Sequence, residues 1–189
     1  MQELSQISYR LVRFLEKKGY EAITFSPYIP VEMSIETKGL FGDVSHRHLA
    51  VKAGLGCLGY CRLLVTPNLG TKVRLATVLT SAELEQDEEY HENLCKGCEK
   101  FCASACPVNA ITDDGVDVNK CVKENVKHGI PGWIGLRKKI SNTNDISNYL
   151  KNYLMDPTFW RIWQATTSGI FYDCYECMKA CPIGDKSKK

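Results

Sequence analysis

Seven of the ten cysteines lie in two runs that each close on Cys-Pro. The first is Cys95-Lys-Gly-Cys98-Glu-Lys-Phe-Cys102-Ala-Ser-Ala-Cys106-Pro107, the second Cys174-Tyr-Glu-Cys177-Met-Lys-Ala-Cys181-Pro182. Thiolates at this density are what cubane iron–sulfur clusters require, and the closing Cys-Pro marks the bacterial two-cluster pattern. In that pattern the cysteine before proline ligates the other run's cluster. Cys95, Cys98 and Cys102 with Cys181 then form one four-cysteine set. Cys106, Cys174 and Cys177 form the second, one ligand short. Cys121, between the runs, completes it. The alternative is a buried structural thiol at Cys121 and a three-iron cluster or a non-cysteine ligand in the second set. The first run also carries one more residue between Cys98 and Cys102 than the usual spacing, which loop backbone can absorb.

Zinc is the rival metal, since two Cys-x-x-Cys pairs can make a four-cysteine zinc site. Such a site leaves three further cysteines and both Cys-Pro closures without a role. Cys57 and Cys61 remain over, in Gly54-Leu-Gly56-Cys57-Leu-Gly59-Tyr60-Cys61. They read as buried packing thiols, or alternatively as a redox pair or a cofactor contact. Gly54, Gly56 and Gly59 match G-x-G-x-x-G, but a helix precedes them and a strand follows, the reverse of the dinucleotide-binding context. They read instead as places where backbone passes close to a bound group or a neighbouring cluster. His46 and His48 flank Arg47 at a helix start, exposed by default and proton donors only if a substrate pocket adjoins them. His91 and His128 have no partners visible in the sequence, and no catalytic residue is assigned.

The elements that must position these residues follow from periodicity. Leu4, Ile7, Leu11, Phe14 and Leu15 recur at helical spacing, with Gly19 placed as a left-handed stop. Tyr20 to Phe25 alternates like a strand, and Tyr28 to Gly42 reads as loop. A helix over about 44–53 is capped by Asp43 or Ser45 and stopped by Gly54. Leu63–Thr66 and Val73–Thr80 read as strands joined by the turn Pro67-Asn-Leu-Gly70. This predicts an α/β layer over residues 1–85, apparently incomplete, with a short N-terminal part. The acidic stretch Glu83 to Glu92 reads as a linker into a cluster region over 86–189, expected to be mostly helical and ferredoxin-like. Within it, Asn144 to Met155 reads as a helix, and Asp156-Pro157 opens another. Phe159, Trp160, Ile162 and Trp163 read as the apolar wall of the second cluster, or as base-stacking platforms.

A chain of 189 residues, 44% hydrophobic and 24% charged, has the composition of a folded domain or two small ones. No apolar run approaches the ~18 residues of a membrane span, and the opening residues do not resemble a signal peptide. A cytoplasmic setting, with no membrane partner, is expected and favours metal ligation over disulfides. The formal charge of +2 counts cysteines as neutral; two thiolate-bound clusters bring it to roughly −2. Lys96, Lys100, Lys120 and Lys179 read as partial compensation or as solvated surface.

The segment His46-Arg-His48-Leu-Ala-Val-Lys-Ala-Gly-Leu-Gly56, with Leu63-Leu-Val-Thr-Pro67-Asn-Leu-Gly70 and Val78-Leu-Thr80, resembles the core of epoxyqueuosine reductases. Related iron–sulfur proteins and corrinoid-dependent reductive dehalogenases share the layout. In that family a four-cysteine run, a lone cysteine with a Gly-x-Pro turn, and a second Cys-Pro run follow. Here the middle element is Cys121 with Gly129-Ile-Pro131, so the resemblance spans about residues 44–183. Where many members read Gly-Trp-Ile-Gly-Lys-Asn, this chain reads Gly56-Cys57-Leu58-Gly59-Tyr60-Cys61. The resemblance implies two 4Fe–4S clusters that pass single electrons to a cobalamin, whose reduced cobalt removes an epoxide oxygen or a halide.

The leading expectation is an electron-transfer protein with two 4Fe–4S clusters, like the electron-delivery part of epoxyqueuosine reductase. Reduced ferredoxin or a flavoprotein would donate electrons, and a redox partner or a homodimer would complete the α/β side. The second is a reductase binding cobalamin, or conceivably flavin, near Gly54, Gly56 and Gly59 and acting on tRNA or a small molecule. The third is a structural or redox-sensing iron–sulfur protein.

Overall fold

The computed structural model describes residues 2–27, 32, 34, 36, 41–169 and 174–185. The expected loop from Tyr28 to Gly42 lies largely outside them. The chain divides into two compact units, one of residues 1–101 with 178–189 and one of residues 102–177.

The first unit opens with α1 (Gln2–Lys17), which turns Ser8 and Val12 inward. Gly19, at φ 89°, ends it: the Gly19 amide donates to Glu16 O and the Tyr20 amide to Leu15 O. That pair of bonds is the Schellman pattern a left-handed glycine permits. β1 (Ala22–Phe25) follows. α2 (His46–Lys52) begins after Ser45, whose hydroxyl bonds His48 Nδ1 at 2.6 Å rather than capping the backbone. His46 is not the free exposed side chain expected of an N-terminal turn. Its Nδ1 meets Thr77 Oγ1 at 2.7 Å and its Nε2 meets Ser26 O at 3.0 Å.

β2 (Cys57–Leu58) and β3 (Leu64–Val65) form one two-stranded antiparallel sheet. β4 (Thr77–Thr80) pairs with β1, Ala22 opposite Thr80 and Phe25 opposite Thr77. The turn at Pro67–Gly70 does form, with Thr66 and Gly70 exchanging two backbone bonds of 2.9 Å. It does not join a hairpin: the strands before and after it enter different sheets, because β1 had already paired with β4. Chain from the far end returns to this turn. A Cβ on Gly70 would lie 2.1 Å from Ile183 O, and the buried Thr71 hydroxyl donates to Met178 O at 3.3 Å. The first unit's core comprises Val12, Ala50, Cys61, Leu64, Val65 and Cys181. Ile7, Leu11 and Phe14 on α1 and the cross-strand pair Ile23 and Leu79 stay exposed.

α3 (Phe101–Ser104) leads into the second unit. There β5 (Ile111–Thr112) and β6 (Gly115–Val116) make a tight hairpin over buried Ala110. α4 (Val118–Asn125) is capped by Asp117, whose carboxylate accepts from Lys120 N. α5 (Ile130–Ser141) takes Pro131 in its first turn, where the missing amide costs nothing. α6 (Ile146–Asn152) continues into a 3₁₀ turn, Tyr153–Met155. α7 (Pro157–Ser168) starts on Asp156 as anticipated and ends at left-handed Gly169. α8 (Glu176–Ala180) carries Cys177.

α5 and α7 pack through Gly132, where a Cβ would approach Ile162 Cγ1 at 3.0 Å. Ile162 is fully buried there, with Leu136 and Ala165 beside it. On this face of α7 Ile162 turns inward, whereas Trp160 and Trp163 are 39% and 47% exposed. Those two rings meet edge to face, Trp160 also meets Phe159, and Phe159 meets Tyr153.

Two substitutions test these contacts. Gly56 has φ 151°, and a Cβ there would sit 2.0 Å from Val65 O. Gly56→Ala is therefore expected to cost at least about 1–3 kcal/mol in backbone strain plus the clash, read as a lowered unfolding midpoint. Asp156 receives Lys139 Nζ and the Thr158 amide, which hold its carboxyl below the usual carboxylate range. Asp156→Ala should remove about 0.5–2 kcal/mol of cap stability. Because the folded pKa is depressed, this stability is present above the unfolded value of about 3.9 and lost as pH falls through the folded one. A denaturation series against pH should show that acid-side loss in the native chain and not in Asp156→Asn.

Candidate metal centre

The first cysteine run is folded by successive turns. Asn93 starts it, its side-chain oxygen accepting from Cys95 N at 3.0 Å and its carbonyl from Lys96 N at 3.0 Å. Cys98 N donates to Cys95 O. Gly97 and Lys100 adopt left-handed backbone, φ 76° and 55°. Lys100 lies within the three-residue spacer between Cys98 and Cys102. Its left-handed turn absorbs the extra residue there, and its Nζ stands 5.0 Å from the centre of the Tyr60 ring.

Cys95 is enclosed by a distant part of the first unit. The Tyr60 amide donates to Cys95 Sγ at 3.4 Å. A Cβ on Gly59 would lie 3.3 Å from the same sulfur and 2.5 Å from Val65 Cγ2, so only glycine fits between them. Burial pushes the Cys95 thiol up, the Tyr60 amide draws it down, and the nearby Cys57, Cys98 and Cys181 push it up again. Burial likewise pushes up Cys61, the Leu63 backbone opposing and Cys181 and Cys95 adding. Cys57 and Cys61 thus belong to the surroundings of the cysteine run, and Cys61 is buried as its packing reading anticipated.

The glycine motif has a local explanation. The space a Cβ would occupy on Gly54 is filled by Glu88 O at 2.3 Å, and on Gly56 by Val65 O. Glycine is needed at both for the close approach of the chain's own backbone.

In the second unit the amide of Ala110 donates to Cys106 Sγ at 3.2 Å. Cys121 stands on α4 and is exposed. The last residue of that helix, Asn125, accepts from Cys174 N at 3.1 Å, fastening the start of the second run to the helix that bears Cys121. Cys177 follows on α8, half-buried. Cys102, the remaining predicted ligand, is half-buried on α3. Lys120 pairs with Asp117 at 3.8 Å.

Among the described residues no three His, Cys, Asp or Glu side chains converge as ligands of a single metal ion. The donor set that the structure does present is sulfur met by backbone N–H, a combination that fits thiolate-ligated clusters, whose sulfurs carry charge and accept hydrogen bonds. These donors were invisible in the sequence, because every residue type but proline has the amide. Asn93 and Asn125 left a weak signal, as turn-forming residues just before or between cysteines. Among the described residues no helix is long and apolar enough to cross a membrane.

No model of a known protein family matches the chain. Curated relatives match part of it. A tetrachloroethene reductive dehalogenase of Desulfitobacterium hafniense is 31% identical over 114 residues, 59% of this chain and 18% of that protein. The epoxyqueuosine reductase of Gloeobacter violaceus is 38% identical over 82 residues, 43% of this chain and 25% of that protein. The Bacillus cereus epoxyqueuosine reductase is 32% identical over 109 residues, covering 57% and 27%. The chain therefore spans about a quarter or less of the length of these relatives. Among solved structures, epoxyqueuosine reductase from Streptococcus thermophilus superposes with a TM-score of 0.56 at 19% identity, over 97% of this chain and 39% of that one. An epoxyqueuosine reductase solved with an epoxyqueuosine-modified tRNA stem loop gives 0.59 at 20% identity, over 98% and 39%. By sequence and by its mixed helix and small-sheet fold, the chain is epoxyqueuosine reductase-like, with reductive dehalogenases among its relatives.

Proposed function

We propose that the chain is an iron–sulfur electron-transfer module of a reductase. Cys95, Cys98, Cys102 and Cys181 hold one 4Fe–4S cluster, and Cys106, Cys121, Cys174 and Cys177 hold the other. The observation that carries this reading is the pair of backbone amides aimed at cysteine sulfurs, Tyr60 at Cys95 and Ala110 at Cys106. Cysteines kept only for packing have weak S–H groups and do not call for such donors. The left-handed backbone at Gly97 and Lys100 is in keeping with this reading, since it lets the first run turn sharply between its cysteines.

The clusters, when bound, would accept and release single electrons within the wide potential range of such centres. The chain's own residues do the rest. The hairpin β2–β3, with Leu64 and Val65 almost fully buried, keeps water from Cys95. Asn125 holds the second run against α4. Reduced ferredoxin or a flavoprotein is the proposed donor, in a cytoplasmic setting.

The relatives favour a second reading, in which the electrons serve a cobalamin-dependent reduction, with a tRNA as the substrate in the epoxyqueuosine reductase version. At these glycines themselves, the space a Cβ would take on Gly54 and Gly56 is filled by the chain's own backbone, which favours the electron-transfer reading there.

Anaerobic purification followed by iron, sulfide, zinc and corrin assay of one sample tests the proposal. About eight irons and as many sulfides per chain are expected, with no corrin retained after incubation with cobalamin. Cys121→Ala should keep only one intact four-iron cluster. A zinc-loaded, colourless chain would overturn the proposal, and tight corrin binding by the chain alone would favour the second reading.

A further inference from the structure

We propose that the backbone amide of Tyr60 sets the reduction potential of the cluster held by Cys95, with the β2–β3 hairpin as the element that aims it. This rests on the reading of the cysteine runs as cluster ligands and goes beyond it by assigning a tuning group from outside them.

Tyr60 and Cys95 are 35 residues apart, so no local turn forces the amide onto the sulfur. The hairpin does so through a series of constraints. Cys57 pairs with Val65 and Leu58 with Leu64. Gly59 N donates to Leu63 O at 2.8 Å, and Arg62 N returns to Gly59 O at 2.9 Å. Tyr60 is thereby the second residue of a four-residue turn. Arg62 takes left-handed backbone at φ 59°, and its carbonyl accepts from the Arg47 guanidinium. Val65 is 1% exposed and Gly59 packs on its side chain, which leaves the turn little freedom to move from Cys95. The Lys100 ammonium over the Tyr60 ring fixes the same segment from the side of the cysteine run.

One-electron reduction adds negative charge that the ligating sulfurs share. An N–H donated to such a sulfur stabilises the reduced form more than the oxidised one and raises the potential. The amide of Ala110 does the same for Cys106, but from only four residues away. Tyr60 is the donor that reaches its sulfur from a separate element, 35 residues away.

The test is a potentiometric titration, followed by electron paramagnetic resonance, of the full chain with its clusters. Tyr60→Pro removes the donor at a turn position that suits proline, whereas Tyr60→Phe keeps the amide and loses only the phenol. One of the two midpoint potentials should move to more negative values in Tyr60→Pro, the other should stay, and Tyr60→Phe should match the native chain. Tyr60→Pro with full iron content and both potentials unmoved would overturn the proposal. Should that variant lose its clusters, the native chain carrying nitrogen-15 tyrosine answers instead. Pulsed resonance on its reduced form should detect a tyrosine nitrogen, with its exchangeable proton, coupled to the spin of the cluster held by Cys95, and its absence would overturn the assignment. A native chain that binds no iron is a separate outcome: it overturns the cluster reading and this proposal with it.

Discussion

Sulfur ligands taken out of water bring negative charge into protein, and that charge has to be answered by donors fixed in place. On the proposed reading, much of the first unit's architecture follows from this constraint. Gly59 leaves room for backbone to reach Cys95, Val65 backs it, and Tyr60 delivers the amide. Gly56 brings the two hairpin strands within a distance that a side chain would forbid. Asn93 and left-handed Lys100 shape the cysteine run itself. The G-x-G-x-x-G pattern, which resembles a nucleotide-binding loop, is on this account the steric signature of a backbone packed against itself and against a sulfur.

The second unit answers the same requirement with local means. Ala110 donates to Cys106 from four residues away, just before the β5–β6 hairpin. Its stability comes from elsewhere, from the α5–α7 contact at Gly132 and Ile162 and from the cap at Asp156. The link between this helical layer and the cysteines is Asn125, which holds Cys174 from the end of α4.

What could be read in the sequence was what local chemistry decides. The cysteine spacing, the Gly19 stop and the Asp156-Pro157 start each depend on a few adjacent residues. Pairing across distance was not readable. The turn at Pro67–Gly70 was plain, yet its flanking strands go to different sheets because β4 finds β1 more than fifty residues back. β2 escaped notice because a two-residue strand between glycines has no period to detect. Which residues of α7 face inward was not readable from hydrophobicity alone: the helix turns Ile162 and Ala165 inward and leaves two tryptophans half outside. Donors to sulfur, supplied by main chain, carry no side-chain signature at all.

The central claim is that eight named thiolates form two interlocked ligand sets and that Cys57 and Cys61 lie beside them without ligating. Anomalous diffraction at the iron absorption edge, from crystals of anaerobically purified protein, tests it most directly. The account predicts two four-iron groups, one bonded to Cys95, Cys98, Cys102 and Cys181, the other to Cys106, Cys121, Cys174 and Cys177. A single metal ion, or iron bonded to Cys57 or Cys61 in place of one of those eight, would contradict it.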